Sequence, residues 1–219
     1  MNDVQGNCLR ILARIREVAS RSGRDPESVR LIAVTKTVST ENIQKVAECG
    51  IHDIGENRLQ EALPKMNALA GLSLTWHFIG HLQTNKAKKA AEHFDWVQCI
   101  DRSELASKLN HAVSKPLPVL IEVKLHEEPN KSGIDEAGLP HLVAEFSRYE
   151  MLRLSGLMVI PPFFENPEDM RPYFRKLRGL ADRFGLRELS MGMSHDFEVA
   201  IEEGATMVRI GAALFGDRG

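Results

Sequence analysis

The 219 residues carry a formal charge of −2, with 43% hydrophobic and 26% charged side chains. That balance supplies a sizeable core and leaves no electrostatic footprint for nucleic acid or a membrane surface. Three cysteines, Cys8, Cys49 and Cys99, are odd in number and far apart in sequence, which argues against a disulfide framework or a zinc spacing.

No N-terminal stretch resembles a signal peptide, and no run of about 18 apolar residues could span a bilayer. The chain is therefore expected to be cytoplasmic and reduced. The short basic stretch Lys86, Lys88, Lys89 reads as the solvated face of a helix.

The first element is an amphipathic helix over 4–21. Leu9, Ile11, Leu12, Ile15, Val18 and Ala19 fall at helical spacing, with Arg10, Arg14, Arg16 and Glu17 between them. Gly23-Arg24-Asp25-Pro26 ends it. Short apolar runs then alternate with longer periodic ones. Strands are predicted at 31–35, 52–55, 75–79, 96–100, 119–123, 154–159, 189–191 and 207–210. Helices are predicted at 40–48, 59–69, 85–93, 103–113, 139–147, 167–184 and 197–203.

Each return to a parallel neighbour needs a crossover, so this alternation predicts a parallel sheet. Eight strand–helix units fit an α/β fold of the (β/α)₈ TIM-barrel type better than an open doubly wound sheet. The leading helix is extra and covers the remaining gap. No linker or composition shift divides the chain, so one domain over 1–219 is expected.

A parallel barrel places its chemistry at the C-terminal ends of its strands. The residues there are Lys36-Thr37, Glu56-Asn57, Gly80-His81, Asp101-Arg102, Lys124, Pro161-Pro162, Ser194-His195-Asp196 and Gly211-Ala212. Lys36 follows Leu31-Ile32-Ala33-Val34-Thr35, the strongest strand signal. A partly desolvated ammonium at the lip of an apolar barrel has a lowered pKa and suits Schiff-base formation. Position alone favours a snorkelling surface lysine.

Barrels often bind phosphate in the loops after their last two strands. Here those loops are Met191-Gly192-Met193-Ser194 and Arg209-Ile210-Gly211-Ala212, each with a glycine and small neighbours. Ordinary strand–helix turns would look similar. Gly211 to Gly216 has Walker A spacing, but Asp217-Arg218 replaces the Lys-Ser/Thr, which rejects a P-loop. Arg209 lies inside the eighth strand and needs an acceptor, either a carboxylate or a ligand.

The eight histidines show no metal-ligand spacing, and His77 on the third strand reads as core or pocket. Asp135-Glu136 and Glu202-Glu203 read as solvated pairs, and no nucleophile elbow appears.

Taken together, several stretches resemble the pyridoxal 5′-phosphate homeostasis protein family, single-barrel relatives of the N-terminal domain of alanine racemase. They are Ala33-Val34-Thr35-Lys36-Thr37, Gly55-Glu56-Asn57-Arg58, the run from Trp76 to Lys86, Asn130-Lys131-Ser132-Gly133-Ile134, Leu154-Ser155-Gly156-Leu157-Met158 and Leu189-Ser190-Met191-Gly192-Met193-Ser194. The last runs from Gly204 to Gly211 and on to Phe215-Gly216. These recur in order over nearly the whole chain.

The resemblance implies that Lys36 holds the cofactor pyridoxal 5′-phosphate (PLP) as a Schiff base. It further implies that Ser194, Gly211 and Ala212 hold the phosphate, Arg209 faces the pyridine nitrogen, and Asn57 and Met158 line the ring. Family members often carry Thr or Ser in place of Ala212, and a Tyr near the C-terminal end that this chain lacks.

An alanine racemase also needs a tyrosine from a second domain, which a chain of this length does not accommodate. Tyr149 and Tyr173 fall on outer helices. An arginine at the ring nitrogen leaves it unprotonated and a weaker electron sink. The resemblance therefore implies a monomeric, non-catalytic PLP handler with apo PLP enzymes as transient clients. The alternatives are a PLP-dependent amino-acid racemase and a Schiff-base sugar-phosphate aldolase.

Overall fold

The computed structural model describes residues 3–126 and 132–216. Asn130 and Lys131 of the matched stretch, and Asp217 and Arg218, lie outside the described residues. The strands are β1 Arg30–Val34, β2 Asp53–Glu56, β3 Thr75–Phe78, β4 Trp96–Ile100, β5 Leu117–Glu122, β6 Leu152–Met158, β7 Glu188–Ser190 and β8 Met207–Ile210. They pair in parallel in chain order, and β1 pairs with β8 to close the barrel.

The helices are α1 Val4–Arg21, α2 Thr40–Glu48, α3 Leu59–Ala68, α4 Ala87–His93, α5 Ser103–Ala112, α6 Leu139–Glu145, α7 Arg171–Arg183, α8 Phe197–Glu202 and α9 Ala212–Phe215. This is a TIM barrel with an added N-terminal helix, as the alternation predicts. No helix among the described residues is long and apolar enough to cross a membrane.

The departures are local. Strands β5 and β6 begin two residues before the expected starts, because Pro118 and Arg153 interrupt the apolar runs yet still pair with each other. Three expected helices contain a 3₁₀ turn, at Thr84–Lys86, Phe146–Arg148 and Pro167–Met170. The single turn of α9 is too short to leave a periodic signal.

Helix α1 occupies the gap between the last helices and α2. It buries Val4, Cys8, Ile11, Ile15, Val18 and Ala19, one stripe at helical spacing. Its polar edge is fastened to the end of the chain. Asn7 Nδ2 donates to the Leu214 carbonyl at 2.9 Å, Arg14 pairs with Glu198 at 2.8 Å, and Arg21 pairs with Glu202 at 2.7 Å. The fold also brings Cys8 beside Cys49 despite their separation in sequence. Burial, reinforced by that neighbour, pushes the Cys8 thiol up to about 12.

The β5–β6 ladder carries a bulge. Val119 faces Leu154 but Leu120 faces Gly156, so Ser155 is the extra residue. At Gly156 the barrel leaves no room for a side chain, since a Cβ there would sit 1.8 Å from the Glu188 carbonyl oxygen of β7. Backbone at that distance cannot yield without moving a strand. Gly156→Ala is expected to cost at least about 3 kcal/mol, the upper end of overpacking penalties. Urea unfolding measures it, and a variant within about 0.5 kcal/mol of wild type would contradict the clash.

Candidate functional site

The C-terminal ends of β1, β2, β3, β6, β7 and β8 surround a cavity of about 410 Å³. Its lining includes Lys36, Asn57, Ser194, Arg209, Gly211 and Ala212, six of the seven positions the resemblance points to. The seventh, Met158, is fully buried at the end of β6 and does not line it. Ile160, two residues on and so on the same side of an extended chain, does. Val34, Ile79, Met193 and His195 complete the lining. Gly80-His81, Asp101-Arg102 and Lys124 stand at the same end of the barrel but outside the lining.

Lys36 sits in a turn held from three sides. The Val38 amide donates to the Thr35 carbonyl at 3.0 Å, and Thr37 adopts a left-handed φ of 61°, its amide donating to Glu61 Oε2 at 3.2 Å. A left-handed threonine is costly for a β-branched residue, so its surroundings must enforce it. Lys65 on α3 does part of this, with Nζ donating to the Thr35 carbonyl at 2.7 Å and to Glu56 Oε1 at 2.7 Å. Thr35 Oγ1 donates to the same carboxylate oxygen at 2.6 Å, and the Glu56 side chain is wholly buried.

This buried ion pair locks the residue before Lys36. Glu56 was visible at a strand end, whereas Lys65 on an outer helix gave no sequence signal. Lys36 is exposed, at the lip of the open cavity.

After β7 and β8, Ser194 Oγ accepts from the amides of Gly211 and Ala213, each at 3.2 Å. The loop that carries Ser194 is tied by Asp196, whose Oδ1 accepts from the Met193 amide at 2.6 Å. It turns at Gly192 with φ 90°, where a Cβ would also meet that of Ala200 at 2.6 Å. Both amides thus converge on the Ser194 oxygen, and the hydroxyl's own proton is the donor left for an anion at this spot.

Arg209 is 4% exposed and makes no carboxylate pair among the described residues. NH1 donates to Ser190 Oγ at 2.7 Å and NH2 to the Val159 carbonyl at 2.8 Å. Burial lowers its pKa to about 10, with Asp196 and Glu122 opposing, so the guanidinium stays charged at neutral pH. On the same lining, Asn57 Oδ1 is a buried acceptor with no hydrogen-bond partner. An unmatched acceptor lining a cavity is what a polar ligand completes.

Of the acidic pairs expected to be solvated, Asp135-Glu136 is exposed, whereas Glu202-Glu203 is half-buried, and both pairs have partners. Glu202 bonds to Arg21 and Arg171, Glu203 to Arg171 and Arg175, Glu136 to Lys176, and Asp135 caps the Gly138 amide. All lie outside the cavity lining. Tyr149 donates to the Ser103 carbonyl at 3.4 Å, and Tyr173 packs against His126 and Phe164. Neither lines the cavity.

Comparison with known proteins defines the class first. Residues 7–219 match the family described as alanine racemase, N-terminal domain. Among solved structures, an alanine racemase from Corynebacterium glutamicum shares the fold, with a TM-score of 0.72 at 19% identity over 94% of this chain and 60% of that one. Closer in sequence are pyridoxal phosphate homeostasis proteins. That of Aquifex aeolicus is 46% identical, over 95% of this chain and 96% of its own. That of Pseudomonas aeruginosa is 45% identical, over 100% and 97% respectively. A structure of PipY from Synechococcus elongatus with PLP bound has a TM-score of 0.83 at 38% identity, covering 92% of this chain and 100% of that one. The chain belongs to the pyridoxal phosphate homeostasis protein family.

Next to the cavity, Glu122 accepts from Ser132 Oγ at 2.9 Å. Burial pushes its carboxyl up from the usual range, Asp101 adds to this, and Ser132 and Arg209 oppose it. The folded protein therefore holds this proton more tightly than the unfolded chain. Its contribution to stability is complete below the ordinary glutamate pKa and is lost as pH rises through the folded value. Glu122→Gln should accordingly be more stable than wild type at pH 7, with the advantage shrinking as pH falls through the folded value and gone below about pH 4.5. Denaturant titrations at both pH values check the sign.

Proposed function

We propose that this chain is a single PLP-binding barrel that holds the cofactor on Lys36 as a Schiff base and keeps it available inside the cell, without robust turnover of a substrate. The observation that carries this reading is the arrangement of one cavity. A primary amine stands at its lip, and the same lining holds a hydroxyl with its bonded Gly211 amide, a charged guanidinium and the apolar side chains of Val34, Ile79 and Ile160.

PLP fits those groups by chemistry. Condensation with Lys36 joins Nζ to the aldehyde carbon, and the aldehyde oxygen leaves as water. Ser194, Gly211 and Ala212 match the phosphate. Arg209 matches the ring nitrogen, and the orphaned Asn57 Oδ1 matches a polar substituent of the ring. When bound, PLP supplies a reactive carbonyl carbon, and Lys36 shields other cellular amines from it. An exposed Lys36 suits a handler, since cofactor can arrive and leave without an opening step.

One observation weighs against a racemase: neither tyrosine lines the cavity. A sugar-phosphate aldolase would use the same lysine and anion site, but the PLP-bound relative favours the cofactor.

The purified protein is expected to be yellow, or to become so with added PLP, and Lys36→Ala to lack the visible band. A wild type that stays colourless would overturn the reading. The loaded protein should restore an apo PLP enzyme faster than the same concentration of free PLP. Loss of α-deuterium from amino acids with loaded protein would instead establish a racemase.

A further inference from the structure

Five side chains form an unbroken polar line through the barrel. Arg209 NH1 donates to Ser190 Oγ at 2.7 Å, and the Ser190 hydroxyl donates to Gln98 Oε1 at 2.7 Å. Gln98 Nε2 lies 3.0 Å from His77 Nδ1, and His77 Nε2 lies 2.7 Å from Asp53 Oδ1. Ser190 on β7 and Gln98 on β4 are not on neighbouring strands, so their bond crosses the lumen. Ser190, Gln98 and His77 are completely buried, whereas the Asp53 side chain is 24% exposed at the opposite end of the barrel.

The direction of every bond follows from chemistry. A carboxylate only accepts, so His77 Nε2 carries a proton. Burial holds the ring toward its neutral form, against the pull of Asp53. The other charged groups acting on it are Arg30 of β1, which favours the neutral form, and Asp95, which opposes it. A neutral ring protonated at Nε2 leaves Nδ1 as an acceptor, which faces the Gln98 amide nitrogen toward it. The Gln98 oxygen is then free to accept only from Ser190, and the Ser190 oxygen to accept from Arg209. All four protons point from Arg209 toward Asp53.

No member can turn without leaving a buried group unmatched, a costly outcome in an apolar interior. The stacking of Trp96 on His77, with centroids 5.8 Å apart and planes at 17°, fixes the ring in addition. The guanidinium of Arg209 is thereby held by its NH1 end, with its remaining donors directed by the lock.

We propose that His77, Gln98 and Ser190 are positioning residues for the cofactor, fixing the Arg209 guanidinium through a one-way hydrogen-bond chain anchored at Asp53. This rests on the reading of the cavity as a PLP site. The residues touch no ligand and act only through Arg209. Their placement answers a physical need, since without the bond from NH1 to Ser190 the guanidinium keeps, among the described residues, a single hydrogen bond, from NH2 to the Val159 carbonyl.

Two measurements test the assignment. ¹⁵N NMR of the cofactor-free wild type should find His77 neutral and protonated at Nε2 at pH 7. An imidazolium, or a proton on Nδ1, would overturn the chain. PLP titrations, followed in the visible band, then test its consequence. His77→Phe keeps the ring but ends the chain, and Ser190→Ala removes a single hydroxyl with minimal change in packing. Each should bind PLP about tenfold more weakly, the equivalent of one charge-assisted hydrogen bond.

His77→Gln restores a donor and an acceptor and should recover affinity to within about twofold of wild type. Unchanged binding by a folded His77→Phe or by Ser190→Ala would sink the proposal. So would a His77→Gln as weak as His77→Phe, because packing alone would then account for the loss. A wild type that takes up no PLP overturns the function proposed above, whereas the NMR result speaks to the chain itself with no cofactor present.

Discussion

Closure of the barrel between β1 and β8 is the constraint on which the site depends. The register sets Ile32 beside Arg209 and Ala33 beside Ile210, so the strand leading to Lys36 lies against the strand leading to Gly211. Residues from opposite ends of the sequence therefore form adjacent walls of one cavity. Parallel pairing directs both strand ends to the same face, and the loop after β7 falls into place next to them. A shift of one residue in this register would turn Arg209 from the lumen toward the helices.

Charge buried in the barrel is managed in two ways. Near Lys36, Lys65 and Glu56 satisfy each other, and Thr35 is drawn into the pair. The arrangement is costly to desolvate and also costly to break from one side, which favours it as a clamp more than as a source of stability. Under the cavity, Arg209 keeps its charge among neutral acceptors. The cavity therefore presents a fixed positive group to whatever enters it, and the apolar walls leave that field weakly screened. A dianionic ligand is the natural complement, and the Ser194 hydroxyl adds to the same preference.

Much of this was legible in the sequence. Alternating apolar runs announced eight strands, strand ends included Lys36, Asn57, Ser194, Gly211 and Ala212, and the resemblance singled these out together with Arg209 inside the eighth strand. What escaped was of three kinds. Met158 and Ile160 differ only by a step of two along an extended chain, which a motif cannot resolve. The Lys65 clamp joins a helix to a strand end, and no periodicity encodes such a contact. The polar line from Arg209 to Asp53 draws its members from β8, β7, β4, β3 and β2, each looking like an isolated polar interruption of an apolar run. His77 read as core or pocket, and only the barrel's curvature shows that it is core with a partner on either side. The solvated reading of Glu202 and Glu203 failed for a related reason, since their arginines come from α1 and α7.

The attachment of α1 bears on the order in which the molecule can be completed. Helix α1 is made before the barrel strands, yet it docks on residues between 197 and 215, which are made long after it. Strand β1 likewise waits for β8. Until that late segment has emerged, α1 has a bare apolar stripe and β1 an open edge, features that invite wrong pairing in a growing chain. No shorter nascent chain can hold both walls of the cavity, so a half-made molecule has nothing with which to grip a ligand.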